Sequence, residues 1–330
     1  FACDSGDSSK TAPPGQEQPN PNDPGNPGDP SNPGDPSNPG PGPGPGSTGK
    51  VNPINGASAA TQLTDPSETG FFDGPVWYDN ALYFSNYDNN MIVKYFESAV
   101  ADPFSVVRPT TLKPSGAAFN SLTNQFFTVE VQFNGPSQVT TNVVNSPATP
   151  VAITLDTGTW NSPNDLVLRA DGSFYVTDPG YQQTNFLNRV YYVTAAGTAT
   201  TVLTFNNAER PNGVALSLDE STLYLSLTAT GQVLKYATNP DGTLGTANNF
   251  ADLAGLNPDG LGIDADGNVY VANDNGVDVY QPDGTKWGNL HTDKSATALA
   301  FGGADNKTLF VTAAGAVFKF TGLSVAGTNQ

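Results

Sequence analysis

Six segments of the chain open on a residue with a side-chain oxygen and run directly into a strand-like stretch: Asp73, Ser115, Asn164, Asn212, Asp259 and Thr297. Two of these residues are carboxylates and two are carboxamides. Brought together, Asp73, Asn164, Asn212 and Asp259 would make an oxygen-only set with two formal negative charges. That donor chemistry suits one hard dication, calcium above all, with water completing six or more ligands. Histidine and thiolate donors are missing, which speaks against zinc, although magnesium, manganese and zinc stay open as alternatives. A plainer reading competes: Asp, Asn and Ser open strands everywhere because they cap turns, and Asp-Gly and Asn-Gly are ordinary turn dipeptides. Any single residue of the six fits that reading, so the argument depends on whether a fold gathers them.

The surrounding sequence says which fold would. The segments recur at intervals of roughly 40 to 50 residues, the period of a propeller blade and longer than a leucine-rich or ankyrin unit. Helical periodicity is almost absent. Instead there are short apolar, β-branched and aromatic runs punctuated by Asp-Gly, Asn-Gly and Gly-Gly. Arg169-Ala-Asp-Gly-Ser-Phe-Tyr-Val-Thr, Ser217-Leu-Asp-Glu-Ser-Thr-Leu-Tyr-Leu-Ser and Asp264-Ala-Asp-Gly-Asn-Val-Tyr-Val-Ala each read as strand, tight turn, strand. Further strands such as Gly231-Gln-Val-Leu-Lys-Tyr and Gly276-Val-Asp-Val-Tyr fill each blade to about four. The pattern predicts an all-β, six-bladed β-propeller over residues 56–330. In such a fold the first strand of every blade lines the central channel, so the six opening residues converge on the axis at one end.

Residues 1–55 predict no core. They are almost wholly Pro, Gly, Asn, Asp and Ser, and from Pro19 to Gly46 the motif Asn-Pro-Gly-Asp-Pro-Ser recurs, the composition of a stiff, disordered spacer. Phe1-Ala2-Cys3-Asp4 resembles the end of a bacterial lipoprotein signal, in which the cysteine becomes the lipidated terminus. The expectation is an extracytoplasmic protein, periplasm-facing or at the cell surface, touching a membrane only through lipid on Cys3. No stretch approaches the ~20 apolar residues of a transmembrane helix. Cys3 is the only cysteine, which excludes a disulfide framework and a cysteine zinc site. The formal net charge of -18 would repel nucleic acid and anionic membrane alike.

The nucleophile inventory is thin. There is no Gly-x-Ser-x-Gly elbow, and a single histidine, His291, in the polar stretch Asn289-Leu-His-Thr-Asp, where a solvated role is expected rather than general-base work. Trp77, Tyr83, Trp160 and Tyr224 sit in strand-like runs and read as packing between blades.

Three segments carry a family resemblance. They are Ser162-Pro-Asn-Asp-Leu-Val-Leu-Arg-Ala-Asp-Gly-Ser-Phe-Tyr-Val-Thr-Asp-Pro, Arg210-Pro-Asn-Gly-Val-Ala-Leu-Ser-Leu-Asp-Glu and Ala300-Phe-Gly-Gly-Ala-Asp-Asn-Lys-Thr-Leu-Phe-Val-Thr. With them the chain resembles the regucalcin, senescence marker protein-like and gluconolactonase family, its bacterial gluconolactonase branch in particular, over nearly the whole domain. The resemblance implies a catalytic metal held at Asp73, Asn164, Asn212 and Asp259, with Asp259 as the candidate base for water attacking a lactone carbonyl. The family's Glu-Gly-Pro-x-Trp stands here as Asp73-Gly-Pro-Val-Trp77, one methylene shorter at the first ligand. Asp165, next to a ligand position, and Asp178 and Tyr181 of the family's Asp-Pro-x-Tyr loop, are implied to contact substrate or support the ligands. The expected partner is a small sugar-derived or related lactone. Two alternatives accompany it: a phosphotriesterase-like hydrolase, and a noncatalytic, surface-displayed binding propeller.

Overall fold

The recurring hairpins assemble into six antiparallel sheets of four strands each. The computed structural model describes residues 50–328, apart from 68, 100–101, 111, 144–149, 154–159, 185–186 and 254. Cys3 and the Pro/Gly-rich spacer therefore lie outside the described residues. After a short β1 (Thr61–Gln62), blade 1 holds β2 (Phe72–Tyr78), β3 (Ala81–Asn86), β4 (Met91–Tyr95) and β5 (Phe104–Pro109). Blade 2 holds β6 (Lys113–Asn120), β7 (Gln125–Val131), β8 (Gln138–Val143) and β9 (Val151–Ile153). Blade 3 holds β10 (Leu166–Leu168), β11 (Phe174–Asp178), β12 (Asn188–Val193) and β13 (Ala199–Phe205). Blade 4 holds β14 (Pro211–Leu216), β15 (Thr222–Leu227), β16 (Gln232–Ala237) and β17 (Asn248–Asp252). Blade 5 holds β18 (Leu261–Ile263), β19 (Val269–Asn273), β20 (Gly276–Tyr280) and β21 (Lys286–His291). Blade 6 holds β22 (Ala296–Gly302), β23 (Thr308–Ala313) and β24 (Ala316–Phe320), and takes β1 as its outermost strand.

That last pairing, Thr61 opposite Lys319 and Gln62 opposite Phe318, closes the circle with the two ends of the domain. Blades 1 and 6 thereby become neighbours like any other pair, and no first or last blade is left with an open face. The segment ahead of β1 is docked too, with Ser324 N–H donating to Pro53 O at 2.8 Å and Ser58 N–H to Thr321 O at 2.8 Å.

The apolar interior is divided among the six junctions between blades. Phe127 meets Phe174 at 5.4 Å between blades 2 and 3, and Tyr270 meets Phe301 at 4.9 Å between blades 5 and 6. Trp77 stacks on Phe310 at 5.0 Å and joins blades 1 and 6, while Tyr83 lies 6.1 Å from Phe126 between blades 1 and 2. Truncating one of these rings to alanine would cost about 3–5 kcal/mol, because both faces of the inner strands are packed. Trp160 packs on Tyr191 and Tyr224 on Phe250, so all four aromatics assigned to packing are in packing. His291 is at the end of an outer edge strand rather than in a loop, largely exposed and away from the channel.

Candidate metal centre at the channel mouth

Each blade's first strand begins at one face of the propeller and is distorted at its start. Register shifts fall at Asp73/Val76 in β2, Pro114/Ala117 in β6, Pro211/Val214 in β14 and Ala296/Ala298 in β22. In blades 3 and 5 the ladder stops short, and Asn164 and Asp259 hang from the second strand by N–H bonds to Thr177 O and Ala272 O, each 2.9 Å. A bulge at this point bends the strand and re-aims its side chain.

The glycine after the opening residue explains how closely the blades meet there. A Cβ on Gly74 would come within 2.3 Å of Ser115 O, one on Gly116 within 2.6 Å of Asn164 O, and one on Gly213 within 2.2 Å of Asp259 O. Of these only Gly74 has a positive φ. Asp73-Gly74, Ser115-Gly116 and Asn212-Gly213 are thus close-approach sites between blades, whereas Asp171-Gly172 and Asp266-Gly267 are hairpin turns.

Hydrogen bonds then join every neighbour around the axis. Ser115 Oγ donates to Asp73 Oδ2 at 2.6 Å, and Gly116 N–H to Asn164 O at 2.7 Å. Val214 N–H donates to Asp165 Oδ2 at 3.0 Å, and Ser226 Oγ to Asp259 O at 2.7 Å. Gly260 N–H donates to Thr297 O at 2.7 Å, and Thr297 Oγ1 to Phe72 O at 2.6 Å, which completes the ring. Sequence reasoning missed part of this ring although its signal was present. A small hydroxyl stands in the second strand of five blades, at Ser85, Thr128, Thr177, Ser226 and Thr312, with Ala272 in the fifth blade, and those of Ser85 and Ser226 reach the next blade. Ser85 Oγ, for one, donates across the junction to Ser115 O at 2.6 Å.

Three carboxylates share this mouth. Burial pushes the Asp73 carboxyl above its ordinary range against the opposing bonds from Ser115 and Gly74. Burial raises Asp259 well above that range, reinforced by the negative charges of Asp73 and Asp165. Burial also pushes Asp165 up to about 7, with Asp73 adding to it. No Lys or Arg forms an ion pair with any of the three among the described residues.

Asn212, 4% exposed, supplies the most specific sign of a ligand. Its Nδ2 donates to Thr228 Oγ1 at 2.9 Å. The Thr228 hydroxyl spends its own proton on Pro258 O at 2.7 Å, so it can only accept from Asn212, and this fixes which way the amide points. Asn212 Oδ1 is left buried with no hydrogen-bond partner. An orphaned carbonyl oxygen beside carboxylates without a counter-cation is what an oxygen-liganded dication would satisfy. Among the described residues no three His, Cys, Asp or Glu side chains group to hold an ion by themselves, so a cage here has to recruit the carboxamides.

The supporting residues fall into two kinds. Asp165 turns both oxygens to backbone, Leu166 N–H at 2.9 Å and Val214 N–H, and so fastens the strand that carries Asn212. Asp178 is fully buried and accepts N–H bonds from Asn161 and Ser162, holding the segment that leads to Asn164; burial pushes it up to about 6. Tyr181 lies at the mouth, its hydroxyl 3.4 Å from Asn212 Nδ2, with the Arg210 guanidinium 5.1 Å from its ring centre. Burial pushes the Tyr181 hydroxyl up to about 12. Tyr87 is near enough to Asp73 to feel its charge, and a chain of hydrogen bonds runs from it through Gln182 to Ser162; none of the three was singled out as a site residue from the sequence.

Fold and site together define a six-bladed propeller with an oxygen-lined axial centre. Residues 71–315 match the SMP-30/Gluconolactonase/LRE-like family, and the chain belongs to it. The gluconolactonase of Zymomonas mobilis is 30% identical over 286 residues, covering 75% of this chain and 77% of that protein. The lactonase drp35 of Staphylococcus aureus is 34% identical over 113 residues, covering 33% of this chain and 35% of its own length. Among solved structures, a gluconolactonase from Xanthomonas campestris superposes with a TM-score of 0.70 at 24% identity, covering 79% of this chain and 89% of that one. The calcium-binding protein regucalcin from Agrobacterium tumefaciens gives 0.65 at 19% identity, covering 81% and 94%. At those identities the two structures establish the shared fold.

Proposed function

We propose that the protein is a metal-dependent lactonase that opens a sugar-derived or related lactone by attack of water at the channel mouth. The observation that carries this reading is the unpartnered Asn212 Oδ1 among buried carboxylates that form no ion pair with a Lys or Arg among the described residues, in a chain of the gluconolactonase family. Asp73, Asn164, Asn212 and Asp259 would hold the ion, and their all-oxygen chemistry favours calcium. Bound there, such an ion supplies a Lewis acid that polarises the lactone carbonyl.

The chain's own residues supply the rest. Asp259 is the group that would receive the proton of the attacking water at its carboxylate, and its burial beside Asp73 and Asp165 offsets part of the basicity that a bound cation takes from it. Thr228 and Tyr181 hold the Asn212 amide in register. Ser115 spans to the shorter Asp73 side chain with a 2.6 Å bond and fixes the carboxylate where the family has a glutamate.

Glucono-δ-lactone opening, followed as acid release, tests the proposal. Activity is expected with calcium and absent after chelation, and Asp259→Asn is expected to lower kcat by about 10²- to 10⁴-fold. Full activity in chelator and in Asp259→Asn alike would sink it. A paraoxon assay run beside it compares a phosphotriester as electrophile, and faster turnover of paraoxon would reassign the substrate class.

A further inference from the structure

The mouth is unevenly walled. Second strands run towards the ring face, so the loops joining second to third strands all rise around it. Blades 5 and 6 have only the tight turns 274–275 and 314–315, and blade 4 has 228–231. Blade 2 uses 132–137 and blade 3 uses 179–187. On this taller side, side chains from blades 1 and 3 join across the blade between them.

Gln182 Nε2 donates to the Tyr87 hydroxyl at 3.0 Å, linking positions 95 apart in the chain. Both partners are fixed before any substrate arrives. Gln182 accepts the Ser162 hydroxyl at Oε1 and the Asn134 N–H at its carbonyl, 2.8 Å. Gln183 Nε2 adds a bond to Gly135 O at 3.1 Å. Tyr87 is held by its N–H to Phe71 O at 2.9 Å, by the Phe71 ring at 5.8 Å, and by the Lys113 ammonium 4.6 Å from its ring centre. Its hydroxyl is near enough to the centre to feel the charge of Asp73.

We propose that Tyr87 and Gln182 are the specificity-determining residues of this site, a fixed polar bar that limits how far a lactone's ring substituent can reach over blade 2. This rests on the lactonase reading. A substituent that extends over blade 2 ends against an amide, a phenol and an ammonium group. That surface rewards short hydroxylated substituents, which can hydrogen-bond to it, and rejects a long alkyl chain, which would strand those polar groups without partners.

The test compares wild type, Gln182→Ala and Tyr87→Phe, all calcium-loaded, on glucono-δ-lactone and δ-dodecalactone. Tyr87→Phe keeps the ring packing and removes only the bond to Gln182, so it covers the case in which Gln182→Ala folds poorly. The expected result is a KM for the alkyl lactone at least tenfold lower in both variants and a KM for gluconolactone a few-fold higher, with calcium affinity by calorimetry unchanged. Unchanged KM values for both lactones would overturn the proposal. If wild type opens neither lactone, the lactonase reading fails by itself. Calorimetric binding of gluconate against 5-hydroxydodecanoate then decides the bar: a shift towards the alkyl acid in both variants supports it, and an unshifted ratio overturns it.

Discussion

Two groups of buried carboxylates in this molecule are treated in opposite ways. Glu130 in blade 2, 2% exposed, receives Arg108 at 2.8 Å together with Gln138 and Thr140, each at 2.9 Å. Asp278 in blade 5, 1% exposed, receives Lys286 at 2.7 Å and Asn289 at 2.8 Å. Asp73, Asp165 and Asp259 are crowded together at the axis and receive only hydroxyl, amide and backbone donors. Glu130 and Asp278 are paired with cations within the chain, because an unpaired buried charge is costly. Charges that are left unpaired and set against one another lower stability, and such places are where proteins hold ions or do chemistry.

The contrast can be broken at its paired side first. Arg108→Ala strands Glu130 and is expected to cost about 3–5 kcal/mol in urea unfolding, with calcium restoring none of it. At the mouth the sign reverses. Asp73→Asn removes one of the mutually repelling charges, so the calcium-free protein is expected to gain about 1–2 kcal/mol while calcium affinity falls on the order of 100-fold. Thermal melts in chelator and in calcium read both effects, and a loss of stability in chelator would show that Asp73 is internally compensated after all.

A pH series sharpens the comparison with the smallest effect. The Asp165 carboxyl is raised from 3.8 to about 7 in the folded state, so the folded chain holds its proton more tightly than the unfolded one. Its contribution to stability is complete below pH 3.8 and is lost as pH rises through about 7. Calcium-free Tm should therefore decline between pH 5 and 8, and saturating calcium should remove the decline. A calcium-free Tm that rose across that window would contradict the assignment.

The repeats made six blades and the ring positions legible, because each blade repeats the same local problem: an opening oxygen residue, a small residue, a strand, a turn. What the repeats do not share stayed hidden. β1 is two residues long and has no period of its own, so the closure of blade 6 could not be seen. Gly74 and Gly213 read as turn formers because the turn dipeptide and the close-approach dipeptide are the same letters, and only the neighbouring blade tells them apart. Asp178 shares a motif with Tyr181 yet turns inward to Asn161 and Ser162, while Tyr87 meets Gln182 over a separation that no local pattern encodes.

The bond from Thr297 Oγ1 to Phe72 O joins residues 225 positions apart. A growing chain presents Asp73 early and must wait for its last blade before that carboxylate has its final surroundings. The chain carries all four of the proposed ion-holding residues by position 259, and the blade that closes the ring comes only after them, so a chain cut before blade 6 would have the donors without the bond that fixes the strand of Asp73.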